Sequence, residues 1–341
     1  MKIAVFETEE WEEQACSRLQ PAHSVSCTRD ALDATTAADH TDAEIVSTFV
    51  NSTLDAEVLA QFTRLKLIAT RSTGYDHIDL AWCAAHGIVV ANVPDYGDST
   101  VAEHAFALLL AVARNLVEAV ERTRHGNFSQ AGLRGFELHG KMLGVIGTGR
   151  IGRRAIEIAR GFGMAVIGCD IDPDEDAAAR LGFRYAGLDE VLAAADVLTL
   201  HVPATPQTVA MISDREFGLM KPGGVLINTA RGNIVDVPAV VRALSSGRLR
   251  AAGFDVLPNE PLIKDEAEIF RADARAEEQD LRALVANHVL LRFPNVIVTP
   301  HNAYNTQSAV RRIIATTVAN IEAFAAGQPQ NLVPAETGAK G

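Results

Sequence analysis

The chain has 341 residues, more than one hydrophobic core usually organises, so two domains of ordinary size are expected. Apolar residues make up 48% and charged residues 22%, with no biased tract, which excludes a disordered or fibrous protein. The formal charge of −12 comes with no dense run of Lys and Arg, so nucleic acid is not an expected partner.

The N-terminus, MKIAVFETEEWEE, turns acidic where a signal peptide would stay apolar. The longest apolar stretch, Ala105 to Ala113, is about half of what a bilayer span needs. A soluble cytoplasmic protein with no membrane partner is the expectation. Cys16, Cys27, Cys83 and Cys169 lack CxxC spacing and neighbouring histidines, which predicts core thiols in a reducing compartment and no metal site.

From Lys2 to Val93 the β-branched runs KIAVFE, SVSCT, EIVSTFV, LKLIATRS and IVVANV alternate with helical stretches, which predicts βα units and a mostly parallel sheet. No glycine-rich turn follows any of these strands, so this sheet is not expected to cradle a phosphate. Next, STVAEHAFALLLAVARNLVEAVERT reads as one helix reaching from Thr100 to Glu121, with Thr100 as N-cap and Glu103 completing a capping box. Its middle is apolar nearly all round and must be buried, between domains or against a second subunit, so a homodimer is expected.

A second, more regular alternation begins near Lys141: KMLGVIG, MAVIGCD, DVLTLHV, GVLINTA, RAAGFDV and NVIVTPH. Six strands with intervening helices match a doubly wound dinucleotide-binding sheet. The charged, Ala-rich segment from Leu262 to Phe293 reads as a surface insertion. After His301, SAVRRIIATTVANIEAFAAG carries one apolar face and is expected to pack back on the first domain. The expected architecture is α/β, two doubly wound parallel-sheet domains with a cleft between them: a flavodoxin-like substrate domain (1–99 plus 301–341) and a Rossmann-type dinucleotide domain (100–300).

Gly147-Thr148-Gly149-Arg150-Ile151-Gly152 is a GxGxxG between a strand and a helix. Its glycines suit a tight turn, close approach of a pyrophosphate to the helix N-terminus, and close helix–sheet packing. Asp170 ends the next strand, 18 residues beyond Gly152, where a carboxylate can accept from ribose hydroxyls and repel a 2′-phosphate. No Arg or Lys follows in IDPDEDAAA, so NAD is expected rather than NADP. Asp172 reads as a helix cap.

Taken together, GVIGTGRIG, GGVLINTARGNIVD, GFDVLPNEP and VTPHNAYNT resemble the D-isomer-specific 2-hydroxyacid dehydrogenases, closest to the D-lactate dehydrogenase branch. The resemblance implies that Arg231 grips the carboxylate and carbonyl of a small 2-oxo acid, that His301 is the acid/base, and that Glu260 is its partner. The chemistry agrees: an Arg fork fits a planar carboxylate beside a carbonyl, reduction needs a proton donor active near neutrality, and a carboxylate favours the imidazolium. By the same resemblance Thr229 and Ala230 sit with the cofactor, Asp255 holds the nicotinamide carboxamide, and the loop His201-Val202-Pro203 flanks the cofactor through backbone atoms.

On the substrate side, the resemblance gives the amides of Ser72, Thr73 and Gly74 to the substrate carboxylate, and Tyr96 and Tyr304 to the pocket lining. Asn51 departs from it, standing where the lactate branch commonly carries a tyrosine. The expected activity is an NAD-dependent reduction of a small 2-oxo acid to the D-2-hydroxy acid, as an oxidoreductase acting on the CH–OH group. Glyoxylate or hydroxypyruvate reductase and phosphite dehydrogenase are alternatives within the family, and a dinucleotide-sensing corepressor-like scaffold is an alternative outside catalysis.

Overall fold

A computed structural model describes residues 1–258 and 285–334. The chain divides into two compact units, Met1–Gly97 with Asn305–Gly341, and Asp98–Tyr304.

The first unit opens with β1 (Lys2–Val5), α1 (Glu10–Cys16), β2 (Ser24–Cys27) and β3 (Ile45–Thr48), followed by α2 (Ala56–Leu59), β4 (Leu67–Thr70), α3 (Leu80–Ala85) and β5 (Val89–Ala91). The five strands form one parallel sheet in the order β2-β1-β3-β4-β5, the flavodoxin-like arrangement. Every residue of β3 and β4 is buried, as both faces of a doubly wound sheet require. Asp55 and Asp79 start α2 and α3 by accepting from the amides of Val58 and Trp82.

The second unit begins with α4 (Asp98–Ala113) and α5 (Leu116–Arg124). The single helix expected from Thr100 to Glu121 is therefore two helices. Asn115 takes a left-handed backbone (φ 48°), a conformation Asn tolerates better than most residues, and the axis turns by 63°. The first helix starts at Asp98, and Thr100 is buried in its first turn rather than capping it. Phe106, Leu109 and Val112 pack with Leu143, Val145 and Ile156, so α4 is a core helix of its own unit. By contrast α5 has no buried residue. No single helix among the described residues is long and apolar enough to cross a membrane.

The unit continues as β6 (Met142–Ile146), α6 (Arg150–Gly161), β7 (Ala165–Cys169), α7 (Glu175–Leu181), β8 (Arg184–Tyr185), α8 (Leu188–Ala194), β9 (Val197–Leu200), α9 (Asp214–Leu219), β10 (Gly224–Asn228), α10 (Val237–Ser245), β11 (Leu249–Phe254) and β12 (Val296–Val298). All seven strands are parallel, in the order β12-β11-β10-β9-β6-β7-β8, which is the dinucleotide-binding order with a seventh strand at one edge. The strand missing from the six expected is β8, too short at two residues to show a period.

Two other expectations need correction. Asp174, not Asp172, caps α7, accepting from the Ala177 amide. The C-terminal end of the stretch expected as a surface insertion is core: residues 285–290 are helical, and Ala286, Asn287 and Leu290 are buried. Residues 259–284, which include Glu260, lie outside the described residues.

The chain then returns to the first unit as α11 (Gln307–Ala325), capped by Thr306 through the Ala309 amide. Ile321 on this helix joins Ile3, Val5 and Leu67 in one core cluster, as its apolar face requires.

Candidate active site

Gly147 follows β6 with φ 88°, and a Cβ there would lie 2.7 Å from the His201 carbonyl carbon. Both conformation and space therefore demand glycine. At Gly152 a Cβ would meet the Gly147 oxygen at 2.0 Å, so glycine lets α6 sit directly on the turn, while a Cβ at Gly149 would face open space. That open space lies at the N-terminus of α6, whose apolar face (Ala155, Ile156, Ala159) is buried and fixes the helix on the sheet. Ile151 packs at the edge of the same core, and the Arg150 Nε donates to Asp98 at 2.8 Å.

Asp170, just past β7, accepts from the Thr148 amide (2.6 Å), the Thr148 hydroxyl (2.9 Å) and the Asp172 amide (3.1 Å). Burial raises the pKa of this carboxyl, but those hydrogen bonds outweigh it and hold the group below the usual carboxylate range. It is an anion beside the glycine turn. His201 follows β9, donates its amide to the Ile146 oxygen at 2.7 Å and brings its Nε2 within 3.0 Å of the Thr199 hydroxyl. Burial pulls its pKa down to about 4, so the ring is neutral near pH 7. Val202 lies against the Gly147 turn, and Pro203 is exposed.

Three strand ends then meet in register, since Phe254 of β11 pairs with Asn228 of β10 and with Val298 of β12. Neighbouring strands are about 4.8 Å apart, so residues just beyond these ends share a small area. Arg231 follows β10, and its loop is tied by Asn228, whose Nδ2 donates to the Arg231 oxygen (2.9 Å) and whose Oδ1 accepts from the Ala230 amide (3.0 Å). Gly232 permits the same loop to lie against Leu257, whose carbonyl carbon would be 2.2 Å from a Cβ. The Thr229 hydroxyl is buried with no partner among the described residues.

Asp255, 1% exposed, organises the turn that carries His301. Its Oδ1 accepts from the Thr299 hydroxyl (2.5 Å) and the Asn302 amide (3.0 Å) and lies 3.3 Å from the His104 Nε2; its Oδ2 accepts from the Ala303 amide (2.8 Å). Burial pushes the Asp255 pKa up, and the bonds from His104, Thr299, Ala303 and Asn302 bring it below the usual range. The His301 amide donates to the Asp255 backbone carbonyl at 2.9 Å, and His301 itself is held at φ 53°, a left-handed conformation uncommon outside glycine. The carboxylate thus grips the turn on both sides of the imidazole. Oδ1 thus has three partners and Oδ2 one. Tyr304 follows the turn, half-buried.

In the first unit, the end of β4 leads into Ser72, Thr73 and Gly74. Their side chains and carbonyls are locked: the Ser72 hydroxyl donates to the Gly74 oxygen (2.5 Å), the Thr73 hydroxyl to the Val93 oxygen (2.8 Å), and the Asn92 Nδ2 to the Thr73 oxygen (2.8 Å). None of the three amide N–H groups has an acceptor among the described residues. Successive unpaired amides on a fixed loop make an anion-binding concavity. Asn51 stands beside it after β3, exposed, and the Tyr96 oxygen accepts from the Arg312 Nη2 at 2.7 Å.

Residues 106–303 match the family model described as D-isomer specific 2-hydroxyacid dehydrogenase, NAD binding domain. The chain belongs to the D-isomer-specific 2-hydroxyacid dehydrogenase family. It is 35% identical to a 2-hydroxyacid dehydrogenase homolog of Schizosaccharomyces pombe, over 95% of this chain and 96% of that one. Against a glyoxylate reductase of Thermococcus litoralis it is 36% identical, over 86% and 84% of the two chains. Among solved structures, D-lactate dehydrogenase of Aquifex aeolicus, complexed with NAD and lactic acid, superposes with a TM-score of 0.85 at 36% identity, covering 96% of both chains.

The dehydrogenase has the groups an NAD-binding domain needs: open space at the N-terminus of α6, an ionised Asp170 for ribose hydroxyls, and the orphaned Thr229 hydroxyl beyond β10. Sequence reasoning missed three residues that fix strand-end loops, one beside this machinery and two in the first unit. His104 acts through Asp255; the AEH triplet in α4 signalled a half-buried polar group on an apolar helix, but not its partner 151 residues away. The other two are Glu7 and Arg71, on the C-terminal edge of the first sheet.

Proposed function

We propose that this dehydrogenase reduces the C2 carbonyl of a small 2-oxo acid to the D-2-hydroxy acid, with NADH as hydride donor. The observation that carries the reading is the His301 turn, locked by Asp255 at the same sheet edge as Arg231. NADH, when bound, supplies the hydride. The guanidinium of Arg231 binds the carboxylate and polarises the carbonyl, His301 delivers the proton to the oxygen as negative charge develops there, and the amides of Ser72, Thr73 and Gly74 take the carboxylate. Glu260 is the proposed partner of His301, a role that rests on the PNEP resemblance because the residue lies outside those described. His201, Val202 and Pro203 flank the cofactor, while Tyr96 and Tyr304 line the substrate site.

The relatives support two substrate classes, lactate-type and glyoxylate-type acids. NADH oxidation with glyoxylate, pyruvate and longer 2-oxo acids tests the reading; turnover of at least one is expected, and none with any of them would favour the sensing scaffold. Asp170 supports NAD over NADP by about tenfold or more in kcat/KM, and equal efficiency with NADPH would contradict that choice. Four free thiols suit a reducing cytoplasm. A homodimer is supported by the apolar groups exposed on and beside α5, Leu116, Val117, Val120 and Phe128, the last 79% exposed; a monomer by sedimentation at micromolar concentration would overturn it.

A further inference from the structure

Glu7 follows β1 with φ 54°, the left-handed region that favours glycine, although it is a charged residue with a long side chain. Its backbone is held there by Arg71, 1% exposed, whose Nη2 donates to the Phe6 and Glu7 oxygens at 2.7 Å each. From this position the carboxylate crosses to the neighbouring loop after β3 and accepts four hydrogen bonds. Oε1 takes the Phe49 amide (3.0 Å) and the Ser52 hydroxyl (2.5 Å), and Oε2 takes the Asn51 amide (3.0 Å) and the Asn51 Nδ2 (2.9 Å).

The last of these bonds has a chemical consequence. An ionised carboxylate only accepts, so the NH2 end of the Asn51 side chain must face Glu7 and the carbonyl end, Oδ1, must face away. Thr48 pairs with Thr70, so the loop carrying Asn51 and the loop carrying the unpaired amides of Ser72 to Gly74 leave the sheet side by side. A 2-oxo acid whose carboxylate sits on those amides has its side chain next to a fixed acceptor, with a second carboxylate behind it.

We propose that Glu7 is a positioning residue for substrate choice: by fixing the Asn51 carboxamide with its oxygen outward, it selects 2-oxo acids whose side chain carries a hydrogen-bond donor over apolar isosteres. The proposal rests on the reading of the protein as a 2-oxo-acid reductase. An apolar side chain would leave Oδ1 desolvated and unpaired, and a carboxylate side chain would be repelled by Glu7.

Steady-state NADH oxidation with isosteric pairs tests this. 3-Hydroxy-2-oxopropanoate is compared with 2-oxobutanoate, and 4-hydroxy-2-oxobutanoate with 2-oxopentanoate; glyoxylate, which has no side chain, is the control. The wild-type protein should prefer the hydroxylated member of at least one pair by about tenfold in kcat/KM. Glu7→Ala frees the Asn51 amide to rotate, so the preference should fall to about threefold or less with glyoxylate kcat/KM little changed; a merely structural Glu7 would lower all substrates alike. Asn51→Ala, on an exposed side chain, should remove the preference even if Glu7→Ala does not fold. Ratios near one for both pairs in the wild type, or a preference that survives either substitution, overturn the proposal while glyoxylate turnover leaves the enzyme reading standing. No turnover of any substrate overturns both.

Discussion

The two sheets solve the same topological problem with opposite residues. In each, the chain leaves the central first strand at the point where strand order reverses, and the residue that follows lies in the left-handed region: Glu7 (φ 54°) after β1 and Gly147 (φ 88°) after β6. Gly147 lets the chain turn tightly against His201, and the space two residues on, at Gly149 and the helix N-terminus, suits a pyrophosphate. Glutamate fills the equivalent place with negative charge and four hydrogen bonds to the next loop, which disfavours a phosphate there. A left-handed residue at the same topological point can therefore accompany either an open helix N-terminus or a charged, hydrogen-bonded one.

The largest effect that bears on this contrast is chemical. His301→Ala should lower kcat by roughly two to four orders of magnitude while NADH binding, titrated by fluorescence, stays nearly intact. Equal losses in turnover and cofactor affinity would mean that the turn held by Asp255 serves the nucleotide site and not proton transfer.

Exchanging demands at the two switch points comes next. Gly147→Ala puts a methyl group 2.7 Å from the His201 backbone in a strained conformation, and should cost more than about 2 kcal/mol in thermal or urea unfolding, together with cofactor affinity. Glu7→Gly relieves left-handed strain of about 1–2 kcal/mol but loses the clamp, so a net loss of about 1–2 kcal/mol is expected. A stabilised Glu7→Gly protein would show that the strain outweighs the four bonds.

The effect smallest near neutral pH, and growing only in acid, is a pH sensitivity confined to the cofactor unit. Burial lowers the His201 pKa from 6.5 to about 4, so the unfolded chain binds this proton more readily. The stability contributed is complete above about pH 6.5 and is lost as pH falls toward 4, reaching about 2 kcal/mol lost near pH 5. His201→Gln should flatten the urea midpoint between about pH 7 and pH 5, and an unchanged slope would place the acid-sensitive group elsewhere.

Much of this molecule was legible in its sequence because strands and glycine turns are local signals. The glycine motif, Asp170 and five strands of the first sheet follow from periods and spacings within some thirty residues. What escaped depends on contacts distant in sequence or on single backbone torsions. Asn115 breaks a helix whose composition reads as continuous, because one left-handed residue interrupts it without any Gly or Pro. Asp255 was legible as a strand-end acid, but its grip on Thr299, Asn302 and Ala303 requires β11 and β12 to be neighbours. Glu7 carried no local signal at all: an acid in an acidic run, FETEEWEE, reads as solvated surface.

The left-handed histidine also bears on how this protein can be improved. A residue held in a left-handed conformation lowers heat tolerance, and no substitution at position 301 can recover that stability without losing the imidazole. Directed evolution toward higher melting temperatures should therefore accumulate changes elsewhere and should leave the His301 turn untouched.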